Sequence, residues 1–216
     1  MLVRERMTPN PVTITPDTSV PEALRLMRER RIRRLPVVDG RGQLVGIVSD
    51  KDLLHVSPSP ATSLAMWEIH DLVAKLKMEK VMTREVITVV EDTPIEDAAR
   101  IMVDSKIGGL PVMRDKTLVG IITETDIFKA FLALLGGRRP GVRIAAYTPS
   151  VKGTVARITT AVFEAGGNIV GLGFNEVPNN PNLEWEVTMK VQDVPKDVLV
   201  EAIRPHVHEF LDVRET

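Results

Sequence analysis

Ten residues occur twice in this chain, first as Leu44-Val45-Gly46-Ile47-Val48-Ser49-Asp50-Lys51-Asp52-Leu53 and again as Leu118-Val119-Gly120-Ile121-Ile122-Thr123-Glu124-Thr125-Asp126-Ile127. Each copy is an apolar run that ends on a hydroxyl residue, and an aspartate follows that residue at a spacing of three. This pattern is typical of a buried strand that turns directly into a helix. Because the stretch occurs twice, we expect two equivalent pockets where the strands end.

The repeat extends beyond these ten residues. Met7-Thr8 recurs as Met82-Thr83, and Leu35-Pro36-Val37 recurs as Leu110-Pro111-Val112. Each copy predicts a short extended segment, a helix, two strands joined by a tight turn, and a second helix. One such unit is too small to bury the apolar face of its sheet, so we expect the two units to pack together.

Helix starts and the region between the repeats add further expectations. Ser19-Val20-Pro21-Glu22 and Thr93-Pro94-Ile95-Glu96 are each predicted to form a capping box, with Pro94 at the first helical position. Residues 61–80 are predicted to form an inter-repeat helix. Trp67 on that helix is expected to pack in the core or at a dimer interface.

The last third of the chain has a different pattern. Gly136-Gly137-Arg138-Arg139-Pro140-Gly141 has the composition of a linker. The residues after it predict the order βαββαβ, which is the ferredoxin-like arrangement, with a hairpin loop from Val177 to Asn182. One strand alternates apolar and polar residues from Leu183 to Val191, which predicts one buried face and one face in water. The predicted fold class is therefore α/β (α+β). The predicted domains are residues 1–60 and 81–135 for the repeats, 61–80 for the inter-repeat helix and 142–216 for the last domain.

The composition excludes several classes of function. Hydrophobic residues make up 44% of the 216 residues and charged residues 26%, as in ordinary globular proteins. The net charge of −1 provides no general attraction to nucleic acid or to an anionic membrane. Without cysteine there are no disulfides and no thiolate chemistry. The first residues lack the apolar core of a signal peptide, and the longest apolar run is too short to span a bilayer, so we expect a cytoplasmic protein.

Motifs for catalysis are also missing from the sequence. There is no phosphate-loop signature, and Gly171-Leu172-Gly173 lacks the third glycine of a dinucleotide fingerprint. His206 and His208 have no third ligand nearby in sequence, so no metal site is predicted. Because no nucleophile and base are paired, we expect no catalytic residues and no enzyme activity.

The Met-Thr pairs, the central Leu-Pro-Val and the closing Gly-hydrophobic-hydrophobic-Ser/Thr-x-x-Asp together resemble the cystathionine β-synthase (CBS) domain, present as a tandem pair over residues 1–135. This resemblance implies a pseudo-symmetric pair of βαββα repeats with two clefts. It also implies that the clefts bind AMP, ADP, ATP, NAD or S-adenosylmethionine.

The predicted last domain, with Gly153 opening a helix and Gly166-Gly167-Asn168-Ile169 closing it, resembles an ACT domain. ACT domains sense amino acids or similar small molecules at a dimer interface. Many have an aspartate and a proline before the helix-opening glycine, where this chain has Ser150 and Lys152, so dimerisation is an alternative role. A CBS pair followed by one ACT domain resembles the acetoin-utilisation B (AcuB) family, which implies a link to acetoin utilisation.

The paired hydroxyl and carboxyl groups, Ser49 with Asp52 and Thr123 with Asp126, have two interpretations. Either pair can form a capping box that does no more than cap the start of a helix. Alternatively, a helix N-terminus and the hydroxyl can bind a phosphate while the aspartate accepts both ribose hydroxyls. Retention of the pair in both copies favours ligand binding.

The CBS resemblance also places other residues in the clefts. It implies that Asp52 faces the segment Val86-Ile87-Thr88 and that Asp126 faces Pro11-Val12-Thr13. Backbone groups of these segments are expected to contact the adenine edge, with valine and isoleucine packed on its face. The resemblance also implies that Arg33 and Arg34 meet phosphates. Because Gly108-Gly109 stands at the corresponding position of the second repeat, with Lys106 as a partial substitute, the two clefts are expected to differ. The predicted ligand-binding residues are Ser49, Asp52, Thr123, Asp126, Val12, Thr13, Ile87, Thr88, Arg33 and Arg34.

The predicted function is that of a non-catalytic, homodimeric sensor with an adenine nucleotide as its regulatory ligand. One alternative is a structural adaptor that regulates a partner enzyme with its clefts empty. Another is a nucleic-acid regulator that uses the four arginines from Arg30 to Arg34. No aromatic residues are interleaved with these arginines and the chain is not basic, so neither nucleic acid nor membrane is a predicted partner.

Overall fold

The structure is a computed structural model that describes residues 1–56, 76–177 and 184–216. The chain divides into two compact units, Met1–Ile127 and Phe128–Thr216. Within the described residues, no helix is both long and apolar enough to cross a membrane. Most of the predicted inter-repeat helix, including Trp67, and residues 178–183 of the predicted hairpin loop and strand start lie outside the described residues.

The first unit contains both copies of the repeat, with each copy in the predicted order. In the first copy, helix α1 is followed by the antiparallel strands β2 and β3 and by helix α2. The second copy has α3, β5, β6 and α4, and a short strand β4 runs parallel to β5. The bounds are β1 Thr8–Pro9, α1 Val20–Arg30, β2 Arg34–Val38, β3 Leu44–Ser49, α2 Asp50–His55, β4 Val89–Val90, α3 Ile95–Asp104, β5 Gly109–Arg114, β6 Thr117–Thr123 and α4 Glu124–Leu134.

The opening segment of each repeat pairs with the other repeat. Thr8 of β1 lies opposite Ile121 of β6, and Thr83 forms a bridge with Ile47 of β3. The Met before each threonine then packs on the glycine of the other repeat. A Cβ added to Gly46 would lie 2.5 Å from the Met82 sulfur, and one added to Gly120 would collide with the Met7 sulfur. The repeated glycine is therefore needed for close packing between the repeats.

The segments that precede the two repeats also accept hydrogen bonds from the first backbone amides of α1 and α3. Val20 N–H at the start of α1 donates to the Leu76 carbonyl at 3.1 Å, and Ile95 N–H at the start of α3 donates to the Met1 carbonyl at 3.1 Å. Residues 78–80 form a 3-10 turn equivalent to the one at Val3–Glu5, so this end of the predicted inter-repeat helix belongs to the second repeat.

The two predicted capping boxes at these helices are wrong in part. Ser19 Oγ accepts from the Glu22 amide at 3.4 Å, which is half of the predicted box. Pro94 is the N-cap of α3, and the Thr93 hydroxyl accepts from the Val90 amide at 3.2 Å instead of capping the helix. A carbonyl from a distant segment already accepts from the first helical amide, and this long-range contact is absent from the local sequence pattern.

The second unit has the predicted order βαββαβ. Strands β7 Val142–Pro149, β8 Asn168–Glu176, β9 Glu184–Gln192 and β10 Glu209–Glu215 form an antiparallel sheet in the order β10-β7-β9-β8. Helices α5 (Thr154–Glu164) and α6 (Lys196–Ile203) contribute Ile158, Val162 and Leu199 to one core with Val187 and Met189 of β9. This topology confirms the ferredoxin-like strand and helix order that the sequence predicted.

The predicted linker after α4 is packed on this sheet. Gly136 is buried with φ +62°, and its backbone lies against the Val170 carbonyl and the Lys190 side chain. A Cβ on Gly171 would collide with the backbone between Leu135 and Gly136. The alternation in β9 predicted that its outer face is in water, but Lys190 on that face is only 6% exposed because this segment covers it.

Candidate functional site

The Ser49–Asp52 pair forms a reciprocal capping box at the start of α2. Asp52 Oδ2 accepts from the Ser49 amide at 2.8 Å and from the Ser49 hydroxyl at 2.7 Å, and the Asp52 amide donates to Ser49 Oγ at 3.3 Å. Within the described part of the chain, all hydrogen bonds of this carboxylate use Oδ2. Capping and ligand binding are therefore compatible, because Oδ1 remains available for a second role.

The Thr123–Asp126 pair repeats this geometry in the second copy. Asp126 Oδ2 accepts from the Thr123 amide at 3.0 Å and from the Thr123 hydroxyl at 2.7 Å. Asp126 is buried, with 9% of its surface exposed, whereas Asp52 is half-buried. The two copies therefore share a backbone arrangement but differ in the solvent access of the carboxylate.

A cavity of 570 Å³ in the first unit brings together five of the predicted site residues. Ser49 and Asp52 line it together with Arg33 and Arg34 at the start of β2 and with Ile87 from the opening segment of the second repeat. The expected juxtaposition of Asp52 with this segment is present. The other lining residues are Ile47, Asp50, Lys51, His55, Thr83, Glu85, Val86, Lys106, Ile107, Gly108, Gly109, Pro111 and Glu124.

The remaining predicted site residues are not among those that line this cavity. Thr88 follows Ile87 but does not line the cavity. Val12 and Thr13 lie in the segment after β1, which pairs with β6, the strand that ends at Thr123. Val12 and Thr13 of the first repeat are therefore equivalent to Ile87 and Thr88 of the second. The Thr123–Asp126 pair of the second repeat is equivalent to the Ser49–Asp52 pair of the first.

Arg33–Arg34 and Gly108–Gly109 line the same cavity. From the sequence we expected them in two different clefts of unequal affinity. The Arg34 side chain packs over Gly108 and Gly109, where a Cβ on Gly108 would collide with the guanidinium. Lys106 lines the same cavity. The glycines therefore make room for the arginine of the other repeat. We expected the arginines in one cleft and the glycines in the other. The structure instead places both in the same cavity.

The electrostatics of the cavity centre on Arg34. Burial lowers the pKa of the Arg34 guanidinium, while the nearby carboxylate of Glu124 acts in the opposite direction. The side chain is 19% exposed, and its Nη2 lies 3.8 Å from Glu124 Oε2. An arginine remains charged under these conditions, so a positive charge with little hydration faces the cavity.

Several lining residues escaped the sequence reasoning. Lys51 and His55 follow the Ser49–Asp52 pair on α2, and their proximity in sequence could have suggested them. Glu124 lies between Thr123 and Asp126 in sequence, but its approach to Arg34 depends on the packing of the two repeats. The position of Glu85 in the same cavity depends on that packing too.

The second unit has a separate cavity of 420 Å³. The loop from Ser150 to Gly153 and the start of α5 line it together with the rings of Phe174 and Trp185. The ring centroids are 5.1 Å apart, and Trp185 Nε1 donates to Ser150 Oγ at 2.5 Å. Gly153 has φ +86°, a conformation that favours glycine at this turn.

Solved structures similar to this chain cover the repeats. A CBS domain pair of protein MJ0100, in complex with 5′-methylthioadenosine and S-adenosyl-L-methionine, is 32% identical with a TM-score of 0.52 and covers 64% of this chain and 98% of that one. CBSX2 in complex with AMP is 36% identical with a TM-score of 0.51 and covers 61% and 96%. An acetoin utilization protein (AcuB) from Vibrio cholerae is 32% identical with a TM-score of 0.53 and covers 64% and 95%.

Sequence comparison gives the same result. A CBS domain-containing protein of Dictyostelium discoideum is 34% identical over 139 residues, which are 62% of this chain and 94% of that protein. An uncharacterized protein of Methanocaldococcus jannaschii is 36% identical over 138 residues, and the match spans only 33% of its length. Residues 3–59 and 78–133, over half of the chain, match the CBS domain family. This chain therefore belongs to the CBS domain family, with two copies of the domain in tandem.

Proposed function

We propose that the chain is a regulatory, non-catalytic protein that binds an adenine nucleotide or a related adenosine derivative in the cavity of its first unit. The observation that carries this proposal is the convergence of Asp52, the Val86–Ile87 segment and Arg33–Arg34 on one cavity. A carboxylate, an apolar wall and a pair of cations match the ribose, the base and the phosphate of a nucleotide.

Each group has a physical reason for its role. Asp52 Oδ1 accepts hydrogen bonds from the ribose hydroxyls while Oδ2 holds the start of α2. Val86 and Ile87 pack against the base, and Ile87 is 44% exposed without a ligand, so covering it is favourable. Arg34 is already held over Gly108 and largely dehydrated, so little conformational entropy is lost when a phosphate binds it.

The solved relatives support the class of ligand. One CBS domain pair was solved with 5′-methylthioadenosine and S-adenosyl-L-methionine, and another protein with AMP. All three ligands share the adenosine group, which Asp52 and the Val86–Ile87 segment are placed to bind. Their substituents at the 5′ position differ in charge, and that position is the one assigned to the arginines.

Thermal unfolding with a ligand panel tests the proposal. AMP, ADP, ATP, NAD, 5′-methylthioadenosine and S-adenosylmethionine are each added near 100 times the dissociation constant that calorimetry gives. A ligand that binds only the folded state then adds about 2.7 kcal/mol to the free energy of unfolding. If no member of the panel shifts the melting temperature or releases heat, nucleotide binding is wrong, and the alternative of an adaptor with empty clefts is favoured.

The Asp52→Asn variant tests the assigned site. Loss of charge-assisted hydrogen bonds to ribose, each about 1.5–3 kcal/mol, should weaken binding roughly ten- to hundredfold. Ser19→Ala is the matched control, because it removes a cap from α1 outside the cavity. Asp126→Asn tests whether the equivalent carboxylate of the second repeat also contributes to ligand binding. Normal binding by the double variant Asp52→Asn/Asp126→Asn would contradict the assignment of both sites.

We further propose that residues 142–216 are an ACT domain that senses a small molecule or holds two copies of the chain together as a homodimer. The strand order, Gly153 at the start of α5 and the cavity beside Trp185 support this proposal. An amino-acid panel in the same thermal assay, followed by light scattering, tests both roles. The similarity to an AcuB protein makes acetoin utilisation the first pathway to examine. An enzyme of that pathway is the first partner to test.

A further inference from the structure

Arg34 has an anionic neighbour inside the cavity even without a ligand. Its guanidinium Nη2 lies 3.8 Å from Oε2 of Glu124, a residue of the other repeat. The Arg34 side chain is 19% exposed and that of Glu124 is 52% exposed. Glu124 is therefore the better hydrated member of the pair, whereas Arg34 packs over Gly108.

A backbone hydrogen bond fixes the position of Glu124, and the length of the Glu124 side chain decides which group its carboxylate can contact. The Glu124 amide donates to the Gly108 carbonyl at 3.1 Å, and the equivalent Asp50 amide donates to the Arg33 carbonyl at 3.0 Å. Asp50 is one methylene shorter, and its Oδ1 accepts from the neighbouring Lys51 amide at 3.0 Å. Of these two equivalent carboxylates, Glu124 is therefore the one that forms an ion pair with Arg34.

We propose that Glu124 is a specificity-determining residue that competes with a ligand phosphate for Arg34. The role rests on nucleotide binding in the cavity as proposed above. A phosphate that binds the guanidinium comes close to the negative charge of the Glu124 carboxylate, so Glu124 weakens the binding of every ligand that carries negative charge at this position. An uncharged 5′ substituent meets no such repulsion. Glu124 thus narrows the preference of the cavity for phosphorylated over phosphate-free adenosine derivatives.

Two ligands with the same adenosine group separate this effect from general changes in binding. AMP carries a phosphate at the 5′ position, whereas 5′-methylthioadenosine carries an uncharged thioether there. Calorimetry on Glu124→Gln should show AMP binding tightened about fivefold, which corresponds to about 1 kcal/mol for a partly exposed ion pair. The affinity for 5′-methylthioadenosine should change less than twofold.

Glu85→Gln is the control for loss of one negative charge. Glu85 lines the same cavity but forms no ion pair with Arg34. The tightening of AMP binding in Glu124→Gln should exceed that in Glu85→Gln. A double-mutant cycle with Arg34→Gln isolates the contact, because Glu124→Gln should no longer tighten AMP binding once the guanidinium is gone.

The outcomes separate this inference from the proposed function. If the unmodified protein binds AMP and Glu124→Gln has the same affinity, competition by Glu124 is wrong while nucleotide binding stands. Equal tightening of AMP and 5′-methylthioadenosine would also overturn it. If the unmodified protein binds neither of these two ligands nor any other member of the panel, nucleotide binding fails. Titration with inorganic tripolyphosphate then decides the role of Glu124: tighter binding by Glu124→Gln supports it, and equal or no binding rejects it.

Discussion

At the scale of single residues, close packing against a methionine of the other repeat requires glycine at positions 46 and 120. A Cβ on Gly46 would lie 2.5 Å from the sulfur and 2.9 Å from Cγ of Met82. Because the contact includes Cγ as well as the end of the side chain, Met82 cannot simply swing away. The glycine in the Gly-x-x-Ser/Thr pattern is thus a packing residue, and the ligand does not require it directly.

Gly46→Ala should therefore lower the free energy of unfolding by about 1–3 kcal/mol, the usual cost of overpacking a core. Denaturant unfolding monitored by circular dichroism measures this change. Gly40→Ala is the control, because an added Cβ there has no atom within 4 Å, and its effect should stay within about 0.5 kcal/mol. A smaller cost of Gly46→Ala in a Met82→Ala background would identify the methionine as the cause, and an equal cost would contradict this explanation.

At the scale of elements, β10 carries an aspartate that joins two arginines of neighbouring strands. Arg143 of β7 lies directly opposite Arg214 of β10, a pairing of like charges that destabilises a sheet. Asp212 Oδ1 accepts from Arg214 Nε at 2.7 Å, and its Oδ2 accepts from Arg143 Nη1 at 2.5 Å. Hydrogen bonds from Arg214 and then from Arg143 lower the pKa of the Asp212 carboxyl.

The lowered pKa predicts a dependence of stability on pH. Since the folded-state pKa lies below the unfolded value of about 3.9, the ionised carboxylate favours folding. This contribution is fully present above the unfolded pKa and is lost as pH falls through the folded one. Asp212→Asn should lower the melting temperature at pH 7 and flatten its decline below about pH 4. Glu209→Gln, at the start of the same strand, serves as control, and identical acid profiles for both variants would contradict the role of Asp212.

The segment after α4 shows how a local pattern of residues can lead to a wrong structural prediction. The run Gly136-Gly137-Arg138-Arg139-Pro140-Gly141 has the composition of a linker, yet Gly136 is buried against β8 and β9. The strand glycine Gly171 allows the backbone to approach at this point. Composition reports the flexibility of a free chain, and packing on a sheet removes that flexibility.

At the scale of the whole molecule, the two units have separate cores. The core around Ile144, Ile158 and Met189 belongs to Phe128–Thr216, while Leu35, Val48 and Leu53 belong to the first repeat. The cavity with Asp52 and Arg34 is lined only by residues of Met1–Ile127. Loss of stability in the second unit should therefore leave the cavity intact.

Met189→Ala should cost about 2–5 kcal/mol of unfolding free energy for the second unit, because Met189 is 1% exposed and its truncation leaves a cavity. Calorimetric titration of the folded variant with AMP should give a dissociation constant within about twofold of the unmodified protein, because Met189 belongs to the core of the second unit and is not among the residues that line the cavity. Leu35→Ala is the counterpart in the first unit and should weaken AMP binding as well. A large loss of AMP affinity in Met189→Ala would show that the second unit contributes to the nucleotide site.

The amino-acid sequence was enough to predict the tandem repeat, the order of helices and strands in both units, and the Ser49–Asp52 and Thr123–Asp126 pairs. Periodicity, turn residues and hydrogen bonds across three residues are local properties, so they can be predicted without knowledge of distant contacts. Five of ten predicted site residues also line the cavity.

Three features became visible only in the folded chain. These are the pairing of each repeat's opening segment with the other repeat, the carbonyls that accept from the first amides of α1 and α3, and the meeting of Arg34, Gly108 and Glu124 in one cavity. The physical reason is that these contacts join residues far apart in the chain. Their distances depend on the packing of whole repeats, which no local pattern of apolar and polar residues specifies.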